Sequence, residues 1–229
     1  NHVESLLKKH RKKYLHCFIL TEGVFSMDGD RGKIKELAFL ANKYNASIIL
    51  DDAHGFGVLG DGRGTLYELN PIPEILIQMG TLSKAIGSYG GFVTAPKTII
   101  KLLHNKARSL IYTTGLPPGT LAASIKSLEI IMANSEITQK PYEYAKLFCE
   151  KAELPIPESS IVSIIMHSED NAIKASKLLE KHGYYIGAIR PPTVPKNTSR
   201  LRFTFSAAHK KKDIINLAEL TKNILNRMN

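Results

Sequence analysis

One lysine in this 229-residue chain stands where covalent chemistry can be done. Lys84 lies in Met79-Gly80-Thr81-Leu82-Ser83-Lys84-Ala85-Ile86-Gly87-Ser88-Tyr89-Gly90-Gly91, between apolar runs at 75–77 and 92–94. Lysine is ordinarily a surface residue, so an exposed loop is one reading of it. The glycines at 80, 87, 90 and 91 favour another, because they let backbone pass close to something bulky. A lysine held there can lose its proton and become a nucleophilic amine that forms Schiff bases. Two more polar clusters follow apolar runs: Glu22 to Ser26, and Asp51-Asp52-Ala53-His54.

The elements around these clusters have to place them at one edge. Residues 3–13 read as a short polar helix. Leu15-His16-Cys17-Phe18-Ile19-Leu20 reads as a strand buried on both faces, with 21–30 as the loop at its C-terminal end. Ile34, Leu37, Ala38 and Ala41 recur at helical spacing, and Ser47-Ile48-Ile49-Leu50 is the next buried strand. Strand, helix, strand with apolar strands predicts a parallel sheet with a right-handed crossover. Ligands bind beyond the C-terminal ends of such strands, which is where all three clusters fall. After Lys84 come a strand at 92–94, a helix near 97–107 and a short strand Leu110-Ile111-Tyr112. A helix then aligns Leu121, Ile125, Leu128 and Met132 on one face. Residues 134–158 are more polar and carry Pro141, Pro155 and Pro157, as at a domain boundary. The remainder reads as a small α+β unit: strands at 161–166 and 184–189, a helix at 171–182 closed by Gly183, a half-exposed strand at 200–205 and a last helix through Leu217, Leu220, Ile224 and Met228.

Each constellation has a plain reading beside its functional one. Asp51, Asp52 and His54 could ligate a divalent metal, but no second cluster has ligand spacing. They could equally be a capped loop with a satisfied histidine. The third reading couples Asp51 to Lys84. A carboxylate at one strand end and an amine at another suit pyridoxal phosphate, with Asp51 keeping the ring nitrogen protonated and Lys84 binding the aldehyde. Gly80-Thr81-Leu82-Ser83-Lys84 has the wrong order for a P-loop. Gly60-Asp61-Gly62-Arg63-Gly64 is a turn-rich segment and weak evidence alone. Arg190-Pro191-Pro192-Thr193 is either a rigid surface connection or a means of fixing Arg190 for a carboxylate.

Thr21-Glu22-Gly23-Val24-Phe25-Ser26-Met27-Asp28-Gly29-Asp30, then Asp51-Asp52-Ala53-His54-Gly55-Phe56-Gly57-Val58-Leu59-Gly60, then Thr81-Leu82-Ser83-Lys84 together resemble the α-oxoamine synthases. These pyridoxal-phosphate enzymes condense an amino acid with an acyl thioester and release carbon dioxide. The resemblance covers nearly the whole chain. It implies an α/β fold: part of a fold-type-I PLP-binding large domain at 1–133, with a mostly parallel sheet and flanking helices, then a small α+β domain at 134–229. It implies that Lys84 holds the cofactor's aldehyde, Asp51 its pyridine nitrogen and His54 its ring hydroxyl. Ser26 would lie beside the cofactor and Thr81 would bond its phosphate. Glu22 would have a supporting role. Thr193 would touch substrate, and Arg190 would meet its carboxylate. The segment 188–195 looks most like the branch that joins L-alanine to a pimeloyl thioester, on CoA or a carrier protein, early in biotin synthesis; another branch of the family is the alternative. A cytoplasmic homodimer is also implied.

Residue 1 is Asn, and the family's large domain begins well before it. The expectation is therefore a piece of a longer protein, in which the earlier part supplies a glycine-containing phosphate loop and a histidine stacked on the ring. An inactive remnant is the competing reading of such a piece. The net charge of +10 is partly local, in Lys8-Lys9-His10-Arg11-Lys12-Lys13 and Lys210-Lys211-Lys212. Solvated helix surface accounts for it; a basic rim facing acidic ligands is a further reading. Nucleic-acid binding would want aromatics among the basic residues, and residues 1–13 have none. No apolar run spans a bilayer, and two unrelated cysteines, Cys17 and Cys149, fit a reducing compartment.

Overall fold

A computed structural model describes residues 2–228. The chain clusters into two units: residues up to Val24 with Gly32–Ser135, and Phe25–Arg31 with Glu136 onward.

The first unit opens with α1 (His2–His10), whose Glu4 sits in the first turn and Lys8, Lys9 and His10 in the last. That charge order suits the helix dipole. Leu7 points inward and joins a core with Ile19, Ala38, Ala41 and Ile48. The basic run has a structural use as well. Arg11 Nε donates to the carbonyls of Tyr44 (2.8 Å) and Asn45 (3.0 Å). It thereby caps carbonyls that the end of α2 (Ile34–Tyr44) would leave unpaired, where Asn45 turns left-handed at φ 48°.

Four strands form the first sheet in the order β1-β2-β3-β4: β1 (Phe18–Glu22), β2 (Ser47–Asp51), β3 (Ile77–Thr81) and β4 (Gly91–Thr94). The first three run parallel, as the strand–helix–strand pattern predicts, and β4 returns antiparallel to β3. Three sequence expectations change here. The run at 15–20 is not buried on both faces: β1 starts at Phe18 and lies at the edge of this sheet, and period-two alternation leaves Phe18 and Leu20 exposed while Ile19 is buried. Leu110-Ile111-Tyr112 is not a strand. Ile111 N–H donates to Ala107 and Tyr112 N–H to Arg108, closing the single-turn helix α4 (Arg108–Ile111) after α3 (Lys97–Lys106). In α5 (Pro118–Ala133) the aligned Leu121, Ile125 and Met132 are exposed; Ser124 and Ile131 are the buried positions.

The polar stretch after residue 134 is helical. α6 (Ser135–Lys151) runs through Pro141 and buries Ala145, Phe148 and Cys149. Burial pushes the Cys149 thiol up to about 11. The second sheet has the order β5-β7-β6, all antiparallel: β5 (Ile161–His167), β7 (Ser199–Thr204) and a β6 shortened to Gly187–Ile189. α6, α7 (Glu169–Lys181) and α8 (Lys211–Met228) contribute to one core with β5 and β7, centred on Phe148, Leu179, Leu201 and Phe203. Ser168 caps α7 by accepting from Asn171 N–H. Gly183, at φ 86°, turns the chain out of it. β7 is more buried than its alternation predicts: Arg200 is 5% exposed because its guanidinium is used inside the fold.

Two measurements check these packings. Phe148 stacks on Phe203 at 4.7 Å between centroids. Phe148→Ala is expected to cost about 3–5 kcal/mol in denaturant unfolding of the second unit. At the other end of the chain, Lys43 and then the Tyr44 hydroxyl hold the Glu4 carboxyl at about 2, below its ordinary 4.5. A depressed carboxylate stabilises the fold above 4.5 and loses that contribution as pH falls toward 2. The Glu4 carboxyl resonance should titrate in that low window, and added salt should move its midpoint upward.

Candidate functional site

The parallel register sets the edge of the first sheet. Glu22 pairs with Asp51, and Asp51 with Met79, so the C-terminal ends of β1 and β2 are level and Thr81 lies two residues further along β3. Beyond Asp51 the chain folds back at once: Asp52 C=O accepts from Gly55 N–H (3.1 Å) and Phe56 N–H (2.8 Å). Beyond Thr81 a loop over 82–90 is closed by Leu82 N–H to Gly90 C=O and Ser88 N–H to Leu82 C=O, both 2.8 Å.

These two loops meet at a position only glycine can occupy. A Cβ on Gly57 would stand 2.5 Å from the Ala85 Cβ, and its φ is +82°. Phe56 also packs edge-on against Phe92 of β4 at 4.9 Å. The consequence is a direct contact: Lys84 Nζ lies 2.8 Å from His54 Nε2. With Lys84 as the ammonium donor, Nε2 accepts and the neutral imidazole keeps its proton on Nδ1. Lys84 is on the exposed side of this contact and His54 is half-buried. Asp51, also half-buried, accepts from Ala53 N–H at 2.9 Å, which fixes its carboxylate. Thr81 Oγ1 donates to Gly90 C=O (3.1 Å), lies 2.7 Å from Ser83 Oγ and accepts from Ser83 N–H (3.2 Å). An amine with a proton acceptor, an oriented carboxylate and a hydroxyl pair suited to an anion thus share one sheet edge.

Next to Asp51, the Asp52 side chain is buried. One carboxylate oxygen accepts from Thr65 Oγ1 at 2.5 Å, the other from Thr65 N–H (2.9 Å) and Gln78 Nε2 (3.1 Å). Desolvation raises its pKa, and the donated bonds oppose that rise. The turn-rich 60–64 segment leads into Thr65, and Gly60, Gly62 and Gly64 in it all have positive φ.

The other expected site residues, Ser26, Arg190 and Thr193, lie in the second unit. Ser26 belongs to a loop that this unit's sheet grips residue by residue. Arg202 Nε donates to Ser26 C=O at 2.6 Å, the Ser163 hydroxyl to Met27 C=O, Arg200 pairs with Asp28, and Ser159 Oγ donates to Gly29 C=O at 2.7 Å. Burial lowers the Arg202 guanidinium pKa. Arg190 and Thr193 are exposed and share a turn, with Thr193 N–H donating to Arg190 C=O at 3.0 Å. Among the described residues no group of three or more His, Cys, Asp or Glu could hold a metal ion.

The aminotransferase class I and II family model matches residues 1–220. The chain belongs to that family. Among curated members, the chain is 48% identical over 223 residues to 8-amino-7-oxononanoate synthase of Granulibacter bethesdensis and 45% identical to that of Maricaulis maris, covering 97% of this chain in each case. It spans 57% of the length of each. Of solved members, SPT with PLP superposes at a TM-score of 0.89 with 26% identity, over 98% of this chain and 59% of that one. The 8-amino-7-oxononanoate synthase of Francisella tularensis superposes at 0.79 with 28% identity, over 96% and 67%. The fold is that of these fold-type-I transferases, with a mostly parallel sheet and flanking helices.

Sequence reasoning did not find the Asp52–Thr65–Gln78 bonds, the Gly57 approach or the grip of Arg202. One signal was available for Asp52: adjacent strand-end residues point to opposite sides, so Asp51 and Asp52 cannot face the same ligand. Gly57→Ala should part the two loops. It is expected to destabilise the first unit by about 1–3 kcal/mol and to shift the His54 ring-nitrogen resonances. Gly115→Ala, with nothing within 4 Å of the added Cβ, is the matched control and should leave both unchanged.

Proposed function

We propose that this chain carries the cofactor-handling part of an 8-amino-7-oxononanoate synthase: a pyridoxal-phosphate transferase that joins L-alanine to a pimeloyl thioester, on CoA or a carrier protein, with loss of carbon dioxide. The single observation behind the reading is the Lys84–His54 contact at the edge that also holds Asp51 and Thr81. The 48% identity to the Granulibacter enzyme supports this branch over the SPT-like one, whose identity is 26%.

The donor set fits the cofactor. Lys84 Nζ would hold its aldehyde, Asp51 its pyridine nitrogen, His54 its ring hydroxyl and Thr81 its phosphate, with Ser26 beside it. When bound, pyridoxal phosphate supplies an electron sink for charge developing at the amino acid's α-carbon. The chain's own residues would take the following tasks. Asp51, its carboxylate already oriented by Ala53 N–H, would keep the ring nitrogen protonated. Once the substrate's amino group has taken its place at the aldehyde, the freed Lys84 amine would take the α-proton of L-alanine and return one to product. His54, within hydrogen-bond distance of that amine, accepts from it and so aims its lone pair. Arg190 and Thr193 serve the substrate carboxylate and acyl chain. We assign the large PLP-binding domain to 1–133 and the small domain to 134–229, in a cytoplasmic homodimer. Among the described residues no helix is long and apolar enough to cross a membrane.

Incubation with pyridoxal phosphate, borohydride reduction and peptide mapping check the assignment. A single pyridoxyl group on Lys84 is expected, and none in Lys84→Ala. A label at any other lysine, or none in the unsubstituted chain, contradicts the reading.

A further inference from the structure

We infer that Asp52 is a positioning residue for the cofactor site: through Thr65 and Gln78 it fixes the rotation of the β2 end, and so the aim of Asp51 and His54. The inference rests on the cofactor reading above.

The geometry carries it in three steps. First, Asp52 is anchored through both backbone and side chain. Its N–H donates to Met79 C=O at 2.8 Å, so its backbone is bonded to β3 beside the last β2–β3 pair, Asp51 with Met79. Its carboxylate takes three donors from Thr65 and Gln78, on two different segments. Second, the carboxylate is closely surrounded by backbone that has no side chains. A Cβ on Gly23, Gly55 or Gly64 would stand 2.4, 2.2 or 2.2 Å from a carboxylate oxygen of Asp52. Three glycines from the β1 end, the β2 turn and the 60–64 loop therefore close around one carboxylate. Third, successive side chains of an extended segment point to opposite sides. A pinned Asp52 leaves Asp51 a single direction, away from the buried network. His54 follows two residues later in a turn whose first acceptor is the Asp52 carbonyl. A buried carboxylate is costly, and a hydrophobic residue would serve packing alone. What the carboxylate adds is direction.

The test separates aim from bulk stability. Asp52→Asn removes the charge, Thr65→Val removes the 2.5 Å hydroxyl donor at similar volume, and Thr65→Ser keeps that donor. Amide hydrogen exchange at Ala53, whose N–H holds Asp51, is read without cofactor. It should rise about tenfold in Asp52→Asn and Thr65→Val, and by less than about twofold in Thr65→Ser. With pyridoxal phosphate, the first two variants should also move the pH midpoint of the bound cofactor's visible absorption, while Thr65→Ser restores it. Unchanged Ala53 exchange overturns the inference. So does faster exchange with an unmoved midpoint, because the network would then support the turn alone. Failure to label Lys84 in the unsubstituted chain overturns the cofactor reading instead, and the Ala53 exchange still decides whether Asp52 aims Asp51.

Discussion

A carboxylate removed from water must be met by donors, and the first unit of this protein is arranged around meeting one. Asp52 draws Thr65 in from the 60–64 loop, Gln78 from β3 and three glycine backbones to its sides. The alternative, an unpaired buried charge, would cost several kcal/mol, about 3–5 by the record of broken buried pairs. The β1 end, the β2 turn, the 60–64 loop and β3 are therefore not independent. What lies on the other side of the same strand end, Asp51 and then His54, inherits that rigidity.

The lysine stands on a separate loop. Its loop is closed by backbone hydrogen bonds among residues 82–90, and its amine reaches a half-buried imidazole 2.8 Å away. The second unit repeats the theme by other means. Four consecutive residues of the loop carrying Ser26 are held by Arg202, Ser163, Arg200 and Ser159, so the loop takes its shape from the antiparallel sheet.

Much of this was legible in the order of residues. Apolar runs ending in polar clusters placed Glu22, Asp51 and Thr81 at one edge because strand type and ligand position follow from local pattern. Lys84 could be singled out because a lysine among glycines is unusual without a role. The pattern failed where distant contacts decide. Leu20, Leu121 and Met132 have apolar periodicity yet stand exposed in this chain. Arg200 has the alternation of a solvent-facing residue, but its partner, Asp28, lies far away in sequence. Leu110-Ile111-Tyr112 has strand composition, but local hydrogen bonds close a single helical turn over it. Asp52 was hidden beside Asp51, since adjacent carboxylates read as one cluster until the strand's alternation separates them.

We propose that Lys84 and Asp51 act on one cofactor from two strand ends. A crystal structure of the chain soaked with pyridoxal phosphate measures that directly. Continuous density from Lys84 Nζ to the aldehyde carbon is expected, with the Asp51 carboxylate at hydrogen-bond distance from the ring nitrogen. Cofactor density away from Lys84, or a ring nitrogen facing any group other than Asp51, would contradict it.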